Sequence, residues 1–161
     1  MKLYHYAPLK NTCLEKGLLS VSLLPECLMH YAQRAHSEDL ADIVKWLDST
    51  FKGRSRSVSC FTEPLKLNGE IVTNGCHLFS FDIDALVKDG LIESVYQKIK
   101  SGNGGRTTEV FRKIKPNQID YTPLDFSPYT TEHELTHTFF RHYMVVLKNG
   151  FIPPKYLTLE K

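Results

Sequence analysis

Apolar and polar residues alternate in several short segments of the chain, with the two-residue period of a β-strand. The first such segment, 2–7, places Leu3, His5 and Ala7 on one face. A second strand follows Arg54 and ends at Pro64, because proline cannot continue a strand interior. Further strands are predicted at 76–83, 91–99, 107–113 and 143–147, with shorter extended pieces at 18–23 and 151–157.

Helical periodicity is clearest between Ser37 and Gly53. Ser37 is the predicted N-cap, and glycine is the usual residue after a helix. The apolar residues that recur at helical spacing between them are Leu40, Ile43, Val44, Leu47 and Phe51. Other helices are predicted at 9–16, 26–35 and 84–89.

Turn signals separate these elements. Asn-Gly pairs at 68–69, 74–75 and 149–150 predict tight turns, and the glycine-rich segment 101–106 predicts a flexible loop. Many short strands, with helices mainly in the N-terminal half, predict one α+β domain over 1–161. We expect its core to be a twisted or split, mostly antiparallel sheet.

Composition narrows the class of protein without identifying it. The 161 residues are 42% hydrophobic and 24% charged, with a formal net charge of +2. Such a balance is globular and does not by itself indicate nucleic acid or membrane as a partner. The four cysteines lack a C-x-x-C spacing, and neither a signal-peptide core nor an apolar run of about 18 residues is present. We therefore expect reduced thiols and a cytoplasmic protein, or an effector exported without a signal peptide of the usual kind.

The stretch 129–143 has the densest chemistry. His133-Glu134-Leu135-Thr136-His137 matches the H-E-x-x-H signature, in which two histidines one helical turn apart bind zinc and the glutamate acts as base. Four nearby threonines are weak helix formers, which favours a polar loop or strand start instead. A third ligand is absent from its usual places, although His142 is a candidate. A zinc metallopeptidase through His133, His137 and His142 is thus an alternative interpretation.

Other segments carry a resemblance. Tyr4-His5-Tyr6 on the first strand, then a short helix ending at Gly17-Leu18, resembles the bacterial ADP-ribosyltransferase-like families of the H-Y-E or H-Y-D type. Cys60-Phe61-Thr62-Glu63-Pro64-Leu65 is similar to a segment of AbiGi-type abortive-infection proteins. The C-terminal 143–157 resembles the final strand pair of the transferases.

The resemblance implies that NAD is a substrate and that a protein or nucleic acid accepts ADP-ribose. His5 would bind the nicotinamide ribose or the adjacent amide, and Tyr6 or Tyr31 would stack on the nicotinamide ring. Ser59 and Thr62 would lie beside the NAD site. Arg54 is a candidate for binding the pyrophosphate.

The sequence leaves open which glutamate supplies the catalytic carboxylate. Glu132 and Glu134 precede the terminal strand, but Glu109 is also followed by an apolar strand and an I-x-P sequence. A carboxylate beside the ribose would stabilise the oxocarbenium-like transition state. Since none of the three glutamates directly starts the terminal strand, a non-catalytic binding or immunity module on the same fold is a further alternative.

Overall fold

A seven-stranded sheet dominates the computed structural model, which describes residues 1–8, 13–101, 108–137 and 142–161. Its described strand pairs are all antiparallel. Within the described residues the strands are β1 Lys2–Pro8, β2 Leu18–Leu19, β3 Ser57–Phe61, β4 Lys66–Leu67, β5 Glu70–Ile71, β6 Cys76–Asp82, β7 Ile92–Ser101, β8 Thr108–Ile114, β9 His142–Leu147, β10 Phe151–Ile152 and β11 Thr158–Leu159. The order in the large sheet is β11-β6-β1-β3-β9-β7-β8, while β10 pairs with β2 and β4 with β5.

The helices within the described residues lie mostly in the first half of the chain. They are α1 Cys13–Lys16, α2 Pro25–Met29, α3 Ala32–Ala35, α4 Leu40–Thr50, α5 Ile83–Lys88 and α6 Glu132–His137. Together with the sheet they confirm the predicted α+β class and the antiparallel core. No helix in the described ranges combines the length and the apolar character needed to cross a membrane.

The two faces of the sheet are chemically different. Residues paired across antiparallel strands share a face, so Leu3, Cys60 and Val145 belong to one face together with the large buried core. The opposite face carries Ser59 and Met144, which are paired across β3 and β9. This second face is more polar, and it is the face that a helical layer covers.

Phe51 fixes the helical layer on the second face. Its ring stacks on Tyr96 of β7 with centroids 4.1 Å apart and lies 4.8 Å from the ring of Phe111 of β8. The layer has its own apolar cluster, in which Ile43 and Leu47 of α4 are buried. Burial of aromatic area at this point sets the distance between the helices and the sheet.

Two predicted helices differ from the structure. Asp39, not Ser37, caps α4, because its side chain accepts the amide of Asp42. The predicted helix 26–35 is two helices, since the amides of His30 and Tyr31 bond three residues back and end α2. Of the predicted helix 9–16, the structure has α1; residues 9–12 lie outside the described part.

Other corrections concern extended segments. The predicted pieces 18–23 and 151–157 each contain a 3₁₀ turn, at Val21–Leu23 and Pro154–Tyr156. The stretch around Glu134 forms α6 rather than a loop or a strand start. Thr131 accepts the Glu134 amide as an N-cap, and Leu135 is fully buried against the β4–β5 hairpin region, so packing outweighs the weak helix propensity. The loop predicted at 101–106 lies almost entirely outside the described residues.

Gly17 offers a test of how tightly β2 is held beside β10. Both Gly17 and Gly90 have positive φ, +88° and +71°, which costs a non-glycine residue about 1–2 kcal/mol. A Cβ at Gly17 would also lie 2.2 Å from the carbonyl oxygen of Ile152, whereas one at Gly90 meets nothing within 4 Å. Gly17→Ala should therefore destabilise the protein by about 1–3 kcal/mol more than Gly90→Ala in urea unfolding. Equal losses for the two variants would contradict this packing.

Candidate active site

A cleft of about 600 Å³ lies between the helical layer and the polar face of the sheet. Its volume is within the range of about 300–1,000 Å³ typical of small-molecule sites. The cleft brings together several residues that the sequence singled out separately: His5, Tyr6, Tyr31, Arg54, Ser59, Glu109 and His142. The site is therefore assembled from β1, β3, β8 and β9 together with the segments around α3 and α4.

The cleft opens where β1 stops pairing with β3. The paired register of these two strands contains one position, Tyr4 opposite Phe61, whereas β3 and β9 pair over five. Val58 and Ser59 point to opposite faces of β3 by alternation, yet both line the cleft. The pairing between β1 and β3 is thus interrupted beside His5, within a sheet that continues on both sides.

His5 bridges the interruption between β1 and β3. Its Nδ1 donates a hydrogen bond to the carbonyl oxygen of Ser59 at 2.5 Å, at the point where the backbone ladder is interrupted. Burial lowers the pKa of His5, and the bond to Ser59 offsets only part of that effect. In the neutral imidazole Nε2 is then an acceptor, suited to a hydroxyl or amide donor of a ligand.

Glu109 is held by two cations. Its Oε1 lies 2.8 Å from Lys98 Nζ, and its Oε2 lies 3.8 Å from a terminal nitrogen of Arg54. Burial would raise the pKa of Glu109, but the hydrogen bond from Lys98 and the charges of Lys98, Arg54 and Arg34 outweigh burial and lower the pKa. Glu109 is therefore a carboxylate at neutral pH.

Arg54 is the most constrained of the basic residues in the cleft. Its guanidinium donates to Thr50 Oγ1 at 2.9 Å and lies over the ring of Phe111, 5.1 Å from the centroid. Burial lowers the pKa of Arg54 from a very high ordinary value. Arg56, by contrast, is tied to Glu93 at 2.6 Å and to the Leu147 carbonyl, so it has a structural role.

The side chains of the two tyrosines in the cleft differ in the contacts that hold them. The Tyr6 hydroxyl accepts the Leu65 amide at 2.9 Å, and its ring meets Phe61 edge-on, so it also anchors the segment after β3. Tyr31 lies at the junction of α2 and α3, tilted against Trp46. The arrangement makes Tyr31 the better candidate for a ring-stacking residue.

The remaining predicted residues lie elsewhere. Thr62 does not line the cleft, and its buried hydroxyl has no hydrogen-bond partner within the described residues. Glu132, His133 and Glu134 are exposed on α6 and do not line the cleft either. Glu134 hydrogen-bonds Thr130, which stabilises the start of its own helix.

The H-E-x-x-H segment is helical, as a zinc site requires, but the described side chains around it do not form a metal-binding group. His133 and His137 are one turn apart on α6, although the side chain of His137 is outside the described residues. Among the side chains that the structure describes, no group of three His, Cys, Asp or Glu residues could hold a metal ion. His142 lies at the start of β9, 5.2 Å from the ring of Phe61, and lines the cleft.

Sequence reasoning missed Arg34 and Lys98, which also line the cleft. Arg34 lies over the ring of Tyr31, 5.9 Å from the centroid, and their separation by three residues was the available signal. Lys98 and Glu109 lie diagonally across the β7–β8 hairpin. Opposite charges near the tip of a predicted hairpin could have pointed to this pair.

Comparison with known proteins adds no assignment. A scan against protein-family models, a search of curated proteins and a search of solved structures each found no match. The interpretation of the cleft therefore rests on its own chemistry.

The lowered pKa of His5 predicts a pH dependence of stability. Below pH 6.5, the ordinary pKa of histidine, His5 binds a proton in the unfolded chain but not in the folded chain. The free energy of unfolding therefore decreases as the pH is lowered. His5→Asn keeps a donor for the Ser59 carbonyl but does not titrate in this range. We expect the wild type to lose more unfolding free energy than His5→Asn between pH 7.5 and 5, measured by urea denaturation. The same pH slope for both proteins would show that His5 is not buried as described.

Proposed function

We propose that the protein is an NAD-dependent ADP-ribosyltransferase-like enzyme with Glu109 as its key carboxylate. The observation that carries the proposal is the presence of His5 and Glu109 in one cleft, with basic and aromatic side chains beside them. The resemblance of Tyr4-His5-Tyr6 to the transferase opening supports it. Glu109 replaces Glu134 in this role because Glu134 faces solvent on α6 and does not line the cleft.

The proposed reaction breaks the bond between nicotinamide N1 and ribose C1′. Nicotinamide leaves with the bonding electron pair, and the ribose passes through an oxocarbenium-like state. A nucleophilic atom of the acceptor then forms a bond to C1′ and loses its proton to solvent or to a base. Glu109, which lies beside Lys98 and Arg54 in the ligand-free cleft, would stabilise the positive ribose as a carboxylate and accept a hydrogen bond from its hydroxyl.

The other cleft residues have roles that follow from their geometry. Neutral His5 would accept a hydrogen bond at Nε2 from the ribose or the nicotinamide amide. The ring of Tyr31 would stack on an NAD ring, and Arg54 would bind the pyrophosphate. Ser59 contributes its carbonyl to the position of His5.

The acceptor is a protein or a nucleic acid, and the enzyme would act as a toxin or effector. We infer action in the cytoplasm, of the producing cell or of a target cell that it enters.

Two alternatives have their own tests. A zinc peptidase through His133, Glu134 and His137 requires about one zinc per chain in protein purified without an affinity tag, measured by elemental analysis. A non-catalytic binding module requires NAD binding without product. No described contact favours either over the transferase.

Glu109→Gln and Glu134→Gln form a matched pair that tests the proposal. Glu109→Gln should reduce NAD consumption about 100-fold or more, because it removes the negative charge beside the ribose. Glu134→Gln should leave the rate within about twofold, since Glu134 lies on α6 outside the cleft. The measurement is the release of nicotinamide, which is monitored by chromatography. Cell extract supplies the acceptor.

Loss of activity in Glu134→Gln with a normal rate in Glu109→Gln would overturn the assignment. A wild-type protein that neither binds nor consumes NAD would remove the proposal altogether.

A further inference from the structure

The cleft contains more positive than negative charge. Arg34, Arg54 and Lys98 line it, while Glu109 is the single carboxylate among its described lining residues. The side chains of Arg54 and Lys98 are only 13% and 19% exposed. Cations that are partly withdrawn from water need an anionic partner. One carboxylate does not balance Arg54 and Lys98, and the exposed Arg34 adds a third positive charge at the rim of the cleft.

Glu109 already occupies part of this basic surface. It contacts Lys98 directly, at 2.8 Å, and approaches Arg54 to 3.8 Å. The carboxylate is also 40% exposed, so it can leave these contacts without crossing the protein interior. In the protein as described, Glu109 thus acts as the internal counter-ion of the cleft.

Two of the three cations are held in place independently of Glu109. Arg54 donates to Thr50 and lies over Phe111, and Arg34 lies over Tyr31. Guanidinium groups fixed in this way bind phosphate oxygens with little further loss of side-chain entropy. Lys98 adds a point charge from the neighbouring strand β7.

We propose that Arg34, Arg54 and Lys98 form a site for a diphosphate ester, and that the diphosphate displaces Glu109 from Lys98 and Arg54. The inference deepens the proposed function and rests on it for the nucleotide nature of the ligand. Displacement has a consequence for that function. The diphosphate takes over the two cations, and the freed carboxylate becomes available to the ribose. Lys98 and Arg34 are binding residues in this account, and no bond is made or broken at this step.

Calorimetric titration of ADP into the full-length protein tests the site without any turnover, because ADP has no nicotinamide to lose. We expect Glu109→Gln to bind ADP about fivefold more tightly than the wild type, since the internal competitor has lost its charge. Arg34→Gln and Lys98→Gln should each weaken binding about fivefold. Glu134→Gln, outside the cleft, should bind ADP like the wild type, and AMP should bind the wild type more weakly than ADP.

The inference is overturned if Glu109→Gln weakens ADP binding or leaves it unchanged. It is also overturned if the wild type does not bind ADP, or if AMP binds as tightly as ADP. Arg34 is exposed on α3, so Arg34→Gln gives a decisive result even if a thermal melt shows that Lys98→Gln is unfolded.

The outcomes separate this inference from the proposed function. ADP binding with the expected order of variants, but no NAD consumption, would leave the diphosphate site standing and remove the transferase. NAD consumption with an unchanged ADP affinity in Glu109→Gln would support the transferase and remove the counter-ion role of Glu109.

Discussion

The interruption between β1 and β3 is the feature on which the site depends. Two neighbouring strands of an antiparallel sheet normally continue their ladder, which would fill the space beside His5 with backbone hydrogen bonds. Here the paired register has a single position, and a side chain takes over, with His5 Nδ1 donating to the Ser59 carbonyl. This bond satisfies a carbonyl oxygen beside the interruption, so the cleft can lie against the polar face of the sheet without a large penalty for unpaired groups.

The strands on the far side of the cleft supply the charge. The register of β3, β9, β7 and β8 places the side chains of Lys98 and Glu109 on the same face as Ser59, where they meet the guanidinium of Arg54. A partly buried ion pair of this kind adds little net stability, because desolvation offsets the attraction between the charges. Its presence in the cleft is more readily understood through binding and catalysis than through stability.

Most of the sheet could be predicted from the sequence because alternation of apolar and polar residues is a local signal. The strands around His5, Phe79 and Val145 were found in this way, and α4 was found by the helical spacing of its apolar residues. Several of the errors arose where packing between distant segments decided the structure. The burial of Leu135 forms α6 despite its threonines, and the position of Tyr31 against Trp46 accompanies the break between α2 and α3.

The candidate site could be predicted only in part, for the same reason. His5, Tyr31 and Arg54 were found because each matched a residue type that the proposed chemistry requires. The sequence could not choose between Glu109 and Glu134, since that choice depends on strand order, which is a long-range property. Lys98 was missed because its partner Glu109 lies on the other strand of the hairpin, whereas the contact of Arg34 with Tyr31 was a local signal that was overlooked.

A crystal structure of Glu109→Gln with NAD bound would test the central claim most directly, because we expect the substitution to slow turnover and to leave the cleft in place. We expect the nicotinamide ribose to lie between His5 and residue 109, with the pyrophosphate against Arg54. NAD bound beside Glu134 on α6, or a cleft that stays empty at saturating NAD, would contradict the account.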